Sequence, residues 1–89
     1  MPKDPRLADM VKYQLSMRGI VNKRLIDAIG SIERHCFVPE KEFDSAYDDR
    51  PLFIGEGQTI SQPYIVALMT ELLDVKEDNA VLELSLIHI

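Results

Sequence analysis

Residues 61–84 read Ser61-Gln62-Pro63-Tyr64-Ile65-Val66-Ala67-Leu68-Met69-Thr70-Glu71-Leu72-Leu73-Asp74-Val75-Lys76-Glu77-Asp78-Asn79-Ala80-Val81-Leu82-Glu83-Leu84. Ser61, just ahead of Pro63, is a natural helix cap followed by a residue suited to the first helical turn. Ile65, Leu68, Met69, Leu72 and Leu73 recur at helical spacing, with Val66 nearby, and predict a long helix with those residues inward. Asp74 to Asn79 is a polar turn, and Ala80-Val81-Leu82-Glu83-Leu84 predicts a short buried strand. A helix leading into a buried strand is how a parallel α/β sheet begins. One strand cannot satisfy its own hydrogen-bond ladder, so its partners must come from outside this chain. The expected fold class is α/β, with the chain itself mostly helical and ending in the first strand of a sheet.

Upstream, Asp4 followed by Pro5 marks a helix start, and Leu7, Met10, Val11 and Leu15 fall on one face as far as Gly19. The spacing predicts helix one over about Pro5 to Arg18, with Gly19 as its left-handed end. Asn22 is placed to cap a second helix, with Val21 and Ile26 as a hydrophobic staple. Leu25, Ile26, Ile29 and Ile32 form its expected buried stripe, and Arg34 and His35 its positively charged end. Pro39 opens a short acidic turn or helix that sets Phe43 and Tyr47 one turn apart. Asp48 to Gln62, with Pro51, Gly55 and Gly57, predicts a loop with one short strand at Leu52-Phe53-Ile54.

Composition narrows the function classes. The chain has 89 residues, enough for one small domain, of which 46% are hydrophobic and 28% charged, a soluble globular balance. A domain of this size buries only about 60–65% of its unfolded surface, so a lone core is marginal. The net charge is −5 and the ten basic residues are scattered, which argues against a nucleic-acid footprint. One cysteine, Cys36, rules out an internal disulfide framework and fits a reducing compartment. No apolar run follows the N-terminus and none approaches a membrane span, so the expectation is a cytoplasmic protein without membrane association.

The segment from Asp48 to Pro63 is the densest in candidate chemistry. Two glycines let backbone approach a ligand, and Gln58, Thr59, Ser61 and Gln62 offer hydrogen bonds. The helix start beyond them presents N–H groups that favour a carboxylate. On chemistry alone, a turn-rich connector whose Ser61 merely caps a helix accounts for the same residues. His35 and Cys36 are adjacent, yet sequence neighbours at a helix end seldom face each other, and no orienting third group is evident. A helix-terminal histidine and a buried cysteine are the expected reading. His88 has no spaced partner, so no metal site is expected. Met10, Met17 and Met69 read as core filler. Glu83 stands at the end of the predicted strand, either at the ligand-binding edge of a sheet or in solvent.

The run Asp49-Arg50-Pro51-Leu52 with Ile54-Gly55 and Gly57-Gln58-Thr59-Ile60-Ser61-Gln62-Pro63-Tyr64-Ile65-Val66-Ala67 resembles the signature segment of protein-L-isoaspartate O-methyltransferases. Met10-Val11, Gln14-Leu15, Arg18-Gly19-Ile20, Arg34-His35 and Phe37-Val38-Pro39 resemble the family's N-terminal helices. Met69-Thr70-Glu71-Leu72-Leu73 and Val81-Leu82-Glu83 resemble its next helix and first sheet strand. The resemblance spans about residues 9–84. It implies a Rossmann-like methyltransferase fold, and a repair enzyme that moves a methyl group from S-adenosylmethionine to the carboxylate of L-isoaspartyl residues in damaged proteins and peptides. It implies Ser61 as the catalytic residue. Ile54, Gly55, Gly57, Gln58 and Glu83 correspond to donor-binding positions, and Thr59, Ile60, Ser61 and Gln62 to substrate-binding ones.

Beyond Glu83 the family continues into a glycine-rich turn that holds the donor, whereas this chain reads Leu84-Ser85-Leu86-Ile87-His88-Ile89. Residues 1–84 are therefore expected to be the N-terminal part of the methyltransferase domain, and 85–89 a non-family tail resembling adapter read-through. The chain alone is expected to be inactive. The competing expectation is a small non-enzymatic helical module that binds a partner, and cooperative unfolding rather than a molten state would favour it.

Overall fold

The computed structural model describes residues 4–83; Leu84 of the expected strand and the expected tail 85–89 lie outside them. Helix α1 (Pro5–Asp9) begins where the Asp4 carboxylate accepts from the Arg6 N–H at 2.8 Å and proline takes the first position. Helical backbone continues to Arg18 as the spacing predicts, but its pitch changes. Met10–Leu15 is a π turn and Ser16–Arg18 a 3-10 turn. The wide turn carries Met10 and Leu15, five positions apart, into the interior together. Gly19, at φ 98°, closes the span, and the Ile20 N–H donates to the Leu15 carbonyl at 3.1 Å.

Helix α2 (Lys23–Ile29) has the expected cap, since Asn22 Oδ1 accepts from the Leu25 N–H at 3.0 Å. Its surroundings differ from expectation. Val21 is 79% exposed, so it makes no staple with Ile26, and Ile32 is exposed. A polar tie replaces the staple: Glu71 accepts from the Val21 and Asn22 N–H groups, both at 2.8 Å. The helix also stops at Ile29, so Arg34 and His35 do not terminate it. They open a separate 3-10 turn, Arg34–Phe37, in which Arg34 is buried and Cys36, expected inside, is exposed. A second 3-10 turn, Glu40–Ser45, leads to Tyr47, which is buried while Phe43 stays exposed.

The segment expected to hold one strand holds two. Strands β1 (Leu52–Gly55) and β2 (Gln58–Ile60) pair antiparallel, with Leu52 opposite Ile60, Phe53 opposite Thr59 and Gly55 opposite Gln58. A register irregularity lies between Phe53 and Gly55. Helix α3 (Pro63–Leu73) follows and ends at Asp74, whose φ is 51°. Ala80 to Glu83 form no strand and are exposed, contrary to expectation. The described residues place no third strand beside them to complete a ladder. The described chain is thus mostly helical with one small antiparallel sheet.

The face of α3 that turns inward also differs. Pro63 and Ala67 are buried and Tyr64 and Leu68 half-buried, whereas Ile65, Met69, Leu72 and Leu73 are exposed. The helix is apolar on nearly every side, so periodicity could not choose between its faces. Small Ala67 allows close approach to Leu15 and Ile20, and these three form one core cluster, flanked by Leu25, Ile26, Tyr64 and Leu68. The other cluster joins Leu7, Met10, Val38, Ala46, Tyr47 and Leu52, with Ile60 packed against it. Val11 of the first helical span and Ile29 of α2 touch both, so these two segments join the clusters. Met17 and Met69 are solvent-facing rather than core filler. No helix among the described residues is long and apolar enough to cross a membrane.

Candidate functional site

The hairpin and the start of α3 carry the site residues. Leu52 is buried and its partner Ile60 packs on the same cluster, which pins the base of the hairpin to the core. The tip needs a left-handed backbone at three successive residues: Gly55 at φ 103°, Glu56 at 56° and Gly57 at 68°. Glycine at two of these removes the Cβ penalty that an L-residue meets there. A Cβ at Gly55 or Gly57 would meet no atom within 4 Å, so conformation rather than space calls for glycine. Ile54, Gly55, Glu56 and Gly57 are exposed at the tip, and Gln58 is half-buried beneath it.

Thr59 and Ser61 are exposed, and Ser61 does not cap α3. Gln62 occupies the cap position without donating or accepting a capping bond, because its side chain is engaged elsewhere. Gln62 Nε2 donates to Asp49 Oδ1 at 2.6 Å, and Arg18 Nη1 donates to Asp49 Oδ2 at 3.0 Å. The Arg18 guanidinium also lies 3.9 Å from the Tyr64 ring centroid. Asp49 therefore ties three segments: the end of the first helical span, the entry to the hairpin and the start of α3. Among the described residues the Ser61 hydroxyl is left exposed without an internal hydrogen-bond partner, which leaves it available to a ligand.

The arrangement supplies an exposed hydroxyl beside a held amide and an exposed glycine turn. The sequence profile of the protein-L-isoaspartate(D-aspartate) O-methyltransferase family matches residues 6–85 of the chain. The chain belongs to this family. Among curated relatives, protein-L-isoaspartate O-methyltransferase of Petrotoga mobilis is 53% identical over 75 residues, covering 84% of this chain and 35% of that protein. The enzyme of the same name from Methanoculleus marisnigri is 54% identical, over 85% of this chain and 34% of its own. Protein-L-isoaspartate O-methyltransferase 2 of Shewanella sediminis is 57% identical, over 84% of this chain and 31% of its own. The chain spans about a third of the length of the curated relatives it matches.

For this family member, the structure gathers Thr59, Ile60, Ser61 and Gln62 at one hairpin–helix junction, with Ile54, Gly55, Gly57 and Gln58 at the adjoining turn. It does not place Glu83 at a strand end, since residues 81–83 form no strand. Sequence reading missed the parts played by Arg18, Asp49 and Tyr64. Asp49 lies inside the motif run, yet its partner Arg18 is 31 positions away, and no periodicity links them.

A second polar cluster surrounds Tyr47, which shares a core cluster with Leu52 at the base of the hairpin. Arg6 Nη1 donates to the Phe43 carbonyl at 2.7 Å, and its guanidinium lies 4.9 Å from the Tyr47 ring centroid. The side-chain and backbone hydrogen bonds from Arg6 hold the Asp4 carboxyl below the usual carboxylate range. Burial pushes the Tyr47 phenol up and the Arg34 guanidinium down. Arg34 Nε donates to the Ala46 carbonyl at 2.6 Å, and Gln14 Nε2 to the Tyr47 carbonyl at 2.7 Å. These bonds hold the 46–47 backbone against two helical segments, a structural task rather than a chemical one.

Proposed function

We propose that this chain is the N-terminal part of a repair enzyme that methylates the carboxylate of L-isoaspartyl residues in damaged proteins and peptides. The observation that carries the reading is the family match over residues 6–85, together with the hairpin–helix junction that presents Ser61. The donor in this reading is S-adenosylmethionine, whose sulfonium supplies an electrophilic methyl group. In the same reading the complete fold is Rossmann-like, the protein works in the cytoplasm, and neither nucleic acid, membrane nor metal takes part in methyl transfer.

The acceptor is a carboxylate with an ordinary pKa of about 4, ionised at neutral pH, so the reaction needs no general base. What the protein must supply is alignment and exclusion of water. Ser61 suits the first task, since its hydroxyl can donate to a carboxylate oxygen while Asp49 holds the neighbouring Gln62 in place. Thr59, Ile60 and Gln62 complete the substrate side. Gly55 and Gly57 allow backbone amides at the turn to approach the donor, with Ile54 and Gln58 beside them and Glu83 as a further donor contact. The exposed tip amounts to one wall of such a pocket. The glycine-rich turn that the family uses as the opposing wall has no counterpart among the four glycines of this chain, Gly19, Gly30, Gly55 and Gly57.

Methyl transfer from labelled S-adenosylmethionine to an isoaspartyl peptide tests this reading. Residues 1–83 joined to the remaining two thirds of the Petrotoga mobilis enzyme should transfer methyl to the isoaspartyl peptide and not to its aspartyl twin, and the 89-residue chain should transfer none. Equal methylation of both peptides, or none by the joined protein when it is folded, would overturn the reading.

A further inference from the structure

The 3-10 turn after α2 brings together three side chains that the methyl-transfer reading does not use. With three residues per turn, positions 33 and 36 eclipse, and the Cys36 N–H donates to the Glu33 carbonyl at 3.0 Å. The Cys36 thiol points along the same edge toward Glu33 Oε2, 3.7 Å away. One ligand atom each from Glu33, His35 and Cys36 lies within 4.8 Å of the others. Glu33 and His35 are half-buried and Cys36 is exposed, so the group is open to solvent on one side.

The imidazole is the anchored member. Its Nδ1 is 2.9 Å from the hydroxyl of buried Tyr47, and its ring meets Phe43 edge-on at 6.0 Å. A hydrogen bond on one ring nitrogen is the usual way a protein fixes the orientation of a metal-binding histidine. The Asp4 carboxylate is 3.8 Å from His35 Nδ1, but Arg6 pairs with that same oxygen at 3.0 Å, so the charge behind the imidazole is balanced. Arg34, between the ligands in sequence, is turned inward onto the Ala46 carbonyl. The sequence alone favours a helix-terminal histidine and a buried cysteine at His35 and Cys36 over a nucleophile and base; the turn instead brings Glu33 to them.

We propose that Glu33, His35 and Cys36 form a three-ligand site for a borderline-soft divalent cation, of which zinc is the type. Carboxylate, imidazole and thiolate are all ordinary zinc ligands, and bonds of about 2.0–2.3 Å require them to close by roughly 1 Å. Side-chain rotation at Glu33 and Cys36 supplies that closure, and water fills the fourth position. On binding, the Cys36 S–H bond breaks, its electron pair goes to the metal and its proton to buffer, so affinity rises with pH.

Cobalt(II), the spectroscopic stand-in, is titrated into the 89-residue chain under a non-thiol reductant. The expected result is a near-ultraviolet thiolate-to-cobalt band that saturates at one equivalent and is displaced by zinc. Cys36→Ser should remove the band. Glu33→Gln and His35→Gln should each weaken cobalt binding by about tenfold or more, and Tyr47→Phe by roughly tenfold through loss of the anchoring bond. His88→Gln should leave affinity unchanged, and circular dichroism of each variant reports its fold directly. Absence of the band at saturating cobalt would overturn the proposal. So would a band that folded Glu33→Gln and His35→Gln retain at parental affinity, since that is a lone thiolate adduct.

Discussion

Asp49 accepts a 2.6 Å hydrogen bond from Gln62, and through its other oxygen it holds Arg18 at 3.0 Å. The residue before the hairpin thus sets the position of the residue after it, and Ser61 stands between the hairpin and that tie. Both members of the Arg18–Asp49 ion pair are more than 40% exposed, so its global contribution is small, about 0–1 kcal/mol. Asp49→Ala should therefore lower the unfolding free energy by no more than about 1 kcal/mol. Its main effect should be local, as faster exchange of the Val66 amide, which donates to the Gln62 carbonyl at 3.2 Å. Unchanged exchange there would mean that packing of Pro63 and Tyr64 positions the loop unaided.

A second tie joins α3 to α2. The Glu71 carboxylate takes the Val21 and Asn22 N–H groups, so a residue on one helix satisfies donors at the entry to another. Charge-assisted bonds of this kind contribute about 1.5–3 kcal/mol each when buried, and less here because Val21 is exposed. Glu71→Ala should cost roughly 2 kcal/mol in denaturant unfolding. Glu71→Gln, which keeps an acceptor oxygen, should recover part of that loss, whereas a purely steric role would make the two variants differ by side-chain size alone.

Much of the helical plan was legible because its signals are local. Asp4, Asn22 and Gly19 each act within three residues of their own position, and each behaves as its chemistry predicts. The hairpin was half legible: Gly55 and Gly57 marked the turn, but a three-residue partner strand carries little pattern of its own. The inward face of α3 was not legible, because apolar residues surround the helix and only tertiary contact with Leu15 and Ile20 selects Ala67. The motif residues of the candidate site could be read from sequence through resemblance. Their supports, Arg18 and Asp49, depend on a contact across 31 positions that composition and periodicity do not encode.

Acid should reveal the N-terminal cap. The Asp4 carboxyl is held below its ordinary value of 3.8 by the hydrogen bonds from Arg6. A group whose folded value is depressed adds stability above its unfolded value, and that stability is lost as pH falls through the folded one. Helicity of the parent chain should thus fall more steeply than that of Asp4→Asn below about pH 4, with the two curves parallel above it. Circular dichroism against pH checks this, and parallel curves throughout would remove Asp4 from the acid transition.

Exposed apolar side chains on α3 should govern solution behaviour. Ile65, Met69, Leu72 and Leu73 lie on the outward side of the helix, and Val81 and Leu82 are exposed beyond it. Contiguous apolar surface of this sort drives association. The 89-residue chain should bind ANS and show a sedimentation coefficient that rises with concentration. Met69→Lys with Leu72→Glu should weaken both effects without loss of helicity, since neither side chain belongs to the two core clusters.

Ser61 separates a capping role from a chemical one. A serine that caps a helix loses about 1 kcal/mol of stability on conversion to alanine. Here Gln62 holds the cap position and the Ser61 hydroxyl is exposed, so Ser61→Ala should change unfolding of the chain by less than about 0.5 kcal/mol. In residues 1–83 joined to the rest of the Petrotoga mobilis enzyme, the same substitution should reduce methyl transfer to an isoaspartyl peptide by tenfold or more, about 1.4 kcal/mol of lost transition-state alignment. The pH profile should keep its shape, because a hydroxyl that orients an ionised carboxylate adds no titrating group. Stability lost with activity intact would return Ser61 to the role of a cap, and the hairpin–helix junction would then need another residue to orient the carboxylate.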